Sequence, residues 1–146
     1  MNRIAKLLLS VAVVASVVTL TSCSSMPDWM PGSGAMPVKL SGAEEVPALS
    51  VPGTGSGSFR VASNSTITDS VTTKDVAGTM AHIHRGAKGQ NGPIVVPLDK
   101  NGDTYTVPAG RKLTPQQMDD LKAGNLYVNV HTNANKGGEV RGQLNP

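Results

Sequence analysis

His82-Ile83-His84 and Val130-His131-Thr132 hold every histidine of the chain. Both segments show the apolar alternation of β-strands, and residues two apart on a strand project to one face roughly 7 Å from each other. His82 and His84 can therefore close on a single ion while His131 arrives from a neighbouring strand. Imidazole is the commonest metal-binding side chain and suits copper and zinc, and three imidazoles leave a position for water or a fourth ligand. Met80 shares the face of His82 and His84 by strand parity, which makes its thioether the candidate fourth ligand. Cu(I) favours a thioether and Cu(II) accepts water instead, so copper in either oxidation state is the expected ion. Ordinary hydrogen bonding on a polar sheet face is the bland alternative.

Alternation in the later segments extends this face. In Leu126 to Thr132, the side chains of Leu126, Val128 and Val130 are predicted to enter the core, leaving Tyr127, Asn129 and His131 opposite. In Glu139 to Leu144, Val140 and Leu144 go inward, and Glu139, Arg141 and Gln143 do not. Side by side, these strands make a polar wall in which Tyr127, Asn129, Glu139 and Arg141 orient the imidazoles or tune the local charge.

The elements that must position these residues are short strands bounded by Gly, Pro, Asn and Asp. The candidates are Val38 to Val46, Gly57 to Ala62, Ile67 to Thr73, Gly78 to His84, Ile94 to Leu98, Thr104 to Val107, Leu126 to Thr132 and Glu139 to Leu144. Strands this frequent mark a sandwich or a barrel. One helix interrupts them, with Thr114 as N-cap, Pro115 at its first position, Gln117 completing a capping box and Gly124 as its stop. Met118 and Leu121 then share a face directed at the sheet edge. Arg85 to Gly92, rich in Gly, Lys and Asn, reads as an ordinary turn-forming connection.

Ahead of these strands lies a targeting segment. Arg3 and Lys6 precede an apolar run from Leu7 to Leu20, and Leu20-Thr21-Ser22-Cys23 follows, the order of a secretory signal. Leu-Thr-Ser-Cys resembles the bacterial lipobox, which implies cleavage before Cys23 and a lipid on its sulfur. With Ser24 rather than Asp next, the resemblance implies the outer membrane in a Gram-negative host. Residues 1–22 are thus read as a lipoprotein signal peptide. Residues 23–37, built of Ser, Pro, Gly and Met with Trp29 as the one large aromatic, are read as a flexible tether. Met26, Met30 and Met36 in that stretch are read as incidental.

The full chain of 146 residues has a formal net charge of +3, which falls to about +1 once Arg3 and Lys6 are removed. No basic run occurs, so no nucleic-acid partner is expected. Cys23 is the chain's one cysteine, so with a lipid on it no disulfide can form. No Gly-x-Ser-x-Gly elbow is present. Glu44 and Glu45 are adjacent and would face opposite sides of a strand, which argues against a paired acid and base.

Six segments in order carry a family resemblance. They are Leu40-Ser41-Gly42-Ala43-Glu44-Glu45-Val46-Pro47, Ala81-His82-Ile83-His84-Arg85-Gly86, Gly92-Pro93-Ile94-Val95-Val96, Leu121-Lys122-Ala123-Gly124, Tyr127-Val128-Asn129-Val130-His131-Thr132 and Gly138-Glu139-Val140-Arg141-Gly142-Gln143-Leu144. Together they resemble the CHRD, or chordin-type, domain over residues 38–146. The resemblance implies an all-β, Greek-key or immunoglobulin-like sandwich, here with one short helix, and says little about activity. A fainter likeness is to copper-zinc superoxide dismutases, with His82, His84 and His131 standing for three copper ligands. A fourth copper histidine, a histidine-rich zinc loop and a structural disulfide are all missing, which argues against that enzyme.

The sequence thus predicts a non-enzymatic, lipid-anchored cell-envelope protein that handles copper, with an unknown protein partner. The competing expectation is a metal-free extracellular interaction or scaffold module. One Phe, one Trp and two Tyr provide few anchors for such a surface.

Overall fold

The computed structural model describes residues 34–146, so the signal peptide, Cys23 and most of the tether lie outside the described residues. Eight strands form: β1 (Met36–Ser41), β2 (Thr54–Val61), β3 (Ile67–Lys74), β4 (Gly78–Arg85), β5 (Ile94–Asn101), β6 (Thr104–Thr106), β7 (Leu126–Thr132) and β8 (Val140–Leu144). The first strand starts two residues earlier than the alternation suggests, and Met36 is a buried strand residue. It also ends sooner, because the chain turns into a 3-10 segment at Gly42–Glu44.

The strands close in the order β1-β2-β3-β6-β5-β4-β7-β8. This is a closed antiparallel barrel and corrects the expected Greek-key or immunoglobulin-like sandwich. Two pairings make the difference. β1 joins β8 through Ser41 and Arg141, and β3 joins β6 through Ser70–Thr106, Val71–Tyr105 and Thr72–Thr104, so two separate sheets do not exist. An eight-stranded barrel has an interior just wide enough for side chains to fill. Leu40, Phe59, Ile67, Val71, Ile83, Val96, Val128, Val130 and Leu144 fill it, each at most 1% exposed.

The helix α1 (Pro115–Lys122) forms with its capping box intact: Gln117 N–H donates to Thr114 Oγ1 at 3.2 Å, and Thr114 N–H to Gln117 Oε1 at 2.9 Å. Met118 and Leu121 join the main core cluster instead of lying on a sheet edge, which a closed barrel lacks.

The inward alternation of β7 is as expected, but its other face is covered too. All seven residues of β7 are buried. The barrel's outer wall over β4, β7 and β8 therefore has a second covering layer, and this layer positions the site.

Candidate metal centre

The register across this wall sets the site. Met80 lies opposite His131, His82 opposite Asn129 and His84 opposite Tyr127 between β4 and β7, while Asn129 lies opposite Arg141 between β7 and β8. Adjacent strands with one parity thus bring the three histidines together, each offering one nitrogen within 4.8 Å of the others. The His82 and His131 ring centroids are 4.9 Å apart, His82 and His84 5.4 Å, and His84 and His131 5.8 Å. His84 and His131 are buried and His82 is half-buried.

Backbone carbonyls fix the orientation of two rings. His84 Nδ1–H donates to Gly92 O at 2.9 Å, and His131 Nδ1–H donates to Lys136 O at 2.9 Å. A carbonyl can only accept, so both rings carry their proton on Nδ1 and keep a lone pair on Nε2. A ring N–H held by a backbone carbonyl is the usual support of a metal-bound imidazole. His84 Nε2 is buried without a hydrogen-bond partner. His131 Nε2 faces His82 Nδ1 at 3.1 Å, so in the ion-free protein the His82 ring proton lies between them. With the His82 proton shifted to its other ring nitrogen, one cation would meet a neutral nitrogen from each of His82, His84 and His131, and would satisfy the orphaned His84 Nε2.

Electrostatics favour the neutral forms of His82 and His84. Burial, followed by the neighbouring His131 and His84, pushes the His82 pKa down to about 4. Burial likewise lowers that of His84, with His131 and Arg141 acting in the same direction and the Gly92 carbonyl opposing. Neutral imidazole is the form that binds metal.

The covering layer comes from three loops. Residues 86–93 lie over β7 and β8: Arg141 donates to Ala87 O at 3.2 Å, Gln90 O at 2.9 Å and Asn91 Oδ1 at 3.3 Å, and Gln143 Nε2 to Gly86 O at 2.8 Å. The Arg85 to Gly92 connection is thus part of the site, since its end supplies the carbonyl that holds His84. Gly92 is required there because a Cβ would run into the Arg85 carbonyl. Tyr127 stacks on His84 with centroids 5.0 Å apart and 7° between planes, and accepts a hydrogen bond from Gly92 N–H at 3.2 Å. The Arg141 guanidinium lies 3.4 Å over the Tyr127 ring centroid.

A second loop, residues 133–138, supplies Lys136 O. Glu139 braces it, with Oε2 accepting from Thr132 Oγ1 at 2.7 Å and Asn135 Nδ2 at 3.1 Å. Asn129, 2% exposed, donates to Gly137 O at 3.2 Å and leaves Oδ1 unpartnered. Met80 stands at the rim, 50% exposed and opposite His131.

Glu45, which strand alternation does not place at the site, is a further member of it. It follows the 3-10 turn rather than lying on a strand, and it brings a third segment over the wall. Its side chain is buried, Oε1 has no partner, and burial raises its pKa to about 7 against the opposing pull of Arg141, Asn129 and a backbone N–H. Gly138 makes room for this carboxyl, since a Cβ there would overlap Glu45 Oε1. The signal was the glycine pair Gly137-Gly138 beside the wall, too general to identify its occupant.

Residues 36–144 match the family model described as CHRD domain. No curated protein and no solved structure gives a significant match to the chain.

Proposed function

The chain belongs to the CHRD domain family, and from that premise we propose that it is a metal-handling protein of the cell envelope that holds one transition-metal ion on His82, His84 and His131. The observation that carries this reading is the orientation of the rings: two histidines give their Nδ1–H to backbone carbonyls and so keep Nε2 free, that of His131 faces His82 Nδ1, that of His84 is buried without a partner, and the three residues each offer a nitrogen within 4.8 Å of the others. Copper is the first choice among ions for a three-imidazole set beside a thioether, with Met80 as the fourth donor. The role is buffering, delivery or resistance without turnover. Anchoring through a lipid on Cys23, at the outer membrane, rests on the Leu20-Thr21-Ser22-Cys23 motif.

Full-length protein carrying Cys23→Ser tests the binding. Titration with Cu(I), Cu(II) and Zn(II) is followed by thermal melting, and a hundredfold excess of ion over Kd adds about 2.7 kcal/mol of stability. His82→Ala together with His84→Ala abolishes the shift. An equal shift in the double variant rejects the site.

Exposure of Met80 at 50% and Ile94 at 55% supports a second reading, a metal-free docking face, because both flank the histidines of β4. Absence of stabilisation by any of the three ions is its expected result.

A further inference from the structure

Resting on the reading of the three imidazoles as a metal site, we infer that the centre selects a soft monovalent cation, Cu(I), over Cu(II) and Zn(II), because neutral ligands lie between a buried guanidinium and an exposed thioether.

Three features of the wall carry this. The ligands themselves bring no negative charge, so an ion keeps its full charge in a site where two of three rings are each only 8% exposed. Burying net charge is costly, and more so for a doubly charged ion.

Behind the ligands stands Arg141, 1% exposed. Its donors go to two carbonyls and two amide oxygens, and among the described residues no carboxylate lies within ion-pair distance of it. β7 lies between β4 and β8, so Tyr127 has His84 on one side and the guanidinium on the other, at 5.0 and 3.4 Å from its ring centroid. A permanent positive charge therefore sits one aromatic ring beyond a ligand. At an effective dielectric near 20, a second unit of charge on the ion weakens its binding by about tenfold at this range.

On the exposed side the neighbour is Met80, a soft donor that Cu(I) accepts and Zn(II) does not favour. Among the acids near the wall, Glu139 has its Oε2 held by Thr132 and Asn135, so that oxygen is not free to ligate the ion.

The test measures affinities of the Cys23→Ser full chain by competition with chromophoric chelators, Cu(I) under anaerobic reducing conditions and Cu(II) and Zn(II) in air. Ag(I) serves as an air-stable monovalent probe. Cu(I) is expected to bind at least tenfold tighter than Cu(II), which corresponds to raising the one-electron copper potential by 59 mV per tenfold. Met80→Leu, at an exposed position, lowers Cu(I) and Ag(I) affinity about tenfold and leaves Cu(II) unchanged. Arg141→Gln shifts the preference about tenfold toward Cu(II). Cu(II) or Zn(II) binding as tightly as Cu(I) overturns the selectivity while leaving the metal site standing. Failure to bind any of the four ions overturns both.

Discussion

Glu45 and His82 titrate in opposite senses, and replacing Glu45 with Gln in the metal-free protein should expose this in the pH dependence of stability. The Glu45 carboxyl is raised from 4.5 to about 7 in the folded chain. On acidification from pH 7 to 4.5 the folded state takes up that proton first, so stability rises. With 1.36 kcal/mol for each pH unit between folded and unfolded values, the ceiling is about 3 kcal/mol. His82 is lowered from 6.5 to about 4, so the unfolded chain takes up its proton first and stability falls over nearly the same interval. His82 is half-exposed, and solvent screening reduces its nominal loss to roughly 1–2 kcal/mol. The depressed His84 acts in the direction of His82. The wild-type protein should therefore show a nearly flat stability between pH 7 and 4.5. Glu45→Gln removes the compensating rise and leaves a decline steeper by up to about 3 kcal/mol, or about 10 °C in Tm for a domain of this size. His82→Asn does the reverse, gaining stability as pH falls. Circular-dichroism melts in chelator-treated buffers at half-unit pH steps read the effect. Parallel curves for wild type and Glu45→Gln would refute the assignment of a buried carboxyl with a raised pKa beside the wall.

Two further outcomes follow from the covering layer and the helix. Gly92→Ala places a Cβ against the Arg85 carbonyl and displaces the carbonyl that holds His84 Nδ1–H, so metal affinity should fall by 10-fold or more although no ligand is altered, as isothermal titration would show. Thr114→Ala removes one half of the capping box and should cost about 1 kcal/mol in urea unfolding, with metal affinity unchanged because α1 contributes no ligand.

What could be read in the sequence was whatever depends on a period of two. Eight strands, and the shared face of His82 and His84, follow from alternation; that His131 joins them requires β7 to lie beside β4, a long-range pairing that alternation does not fix. Closure does not follow from it. A sandwich and a barrel place Val128 inward and Asn129 outward alike, and only the long-range pairings of β1 with β8 and of β3 with β6 distinguish them. Nor does alternation reveal what covers an outer face. Arg141 read as a polar wall residue, yet it is 1% exposed because three segments distant in sequence converge on the wall, two of them reaching it through Ala87, Gln90 and Asn91 and through Glu45. On an extended strand Glu44 and Glu45 would face opposite sides, but the chain turns at Gly42–Glu44, and that single change of local conformation goes with a buried Glu45 carboxyl at the wall. The residues that would hold the ion are thus fixed by strand parity and the pairing of β4 with β7, whereas those that set its charge environment are fixed by loop packing. It follows that copies of this domain keeping the His-x-His strand but altering residues 42–47 or 86–93 would retain the ligands and differ in which ion they prefer.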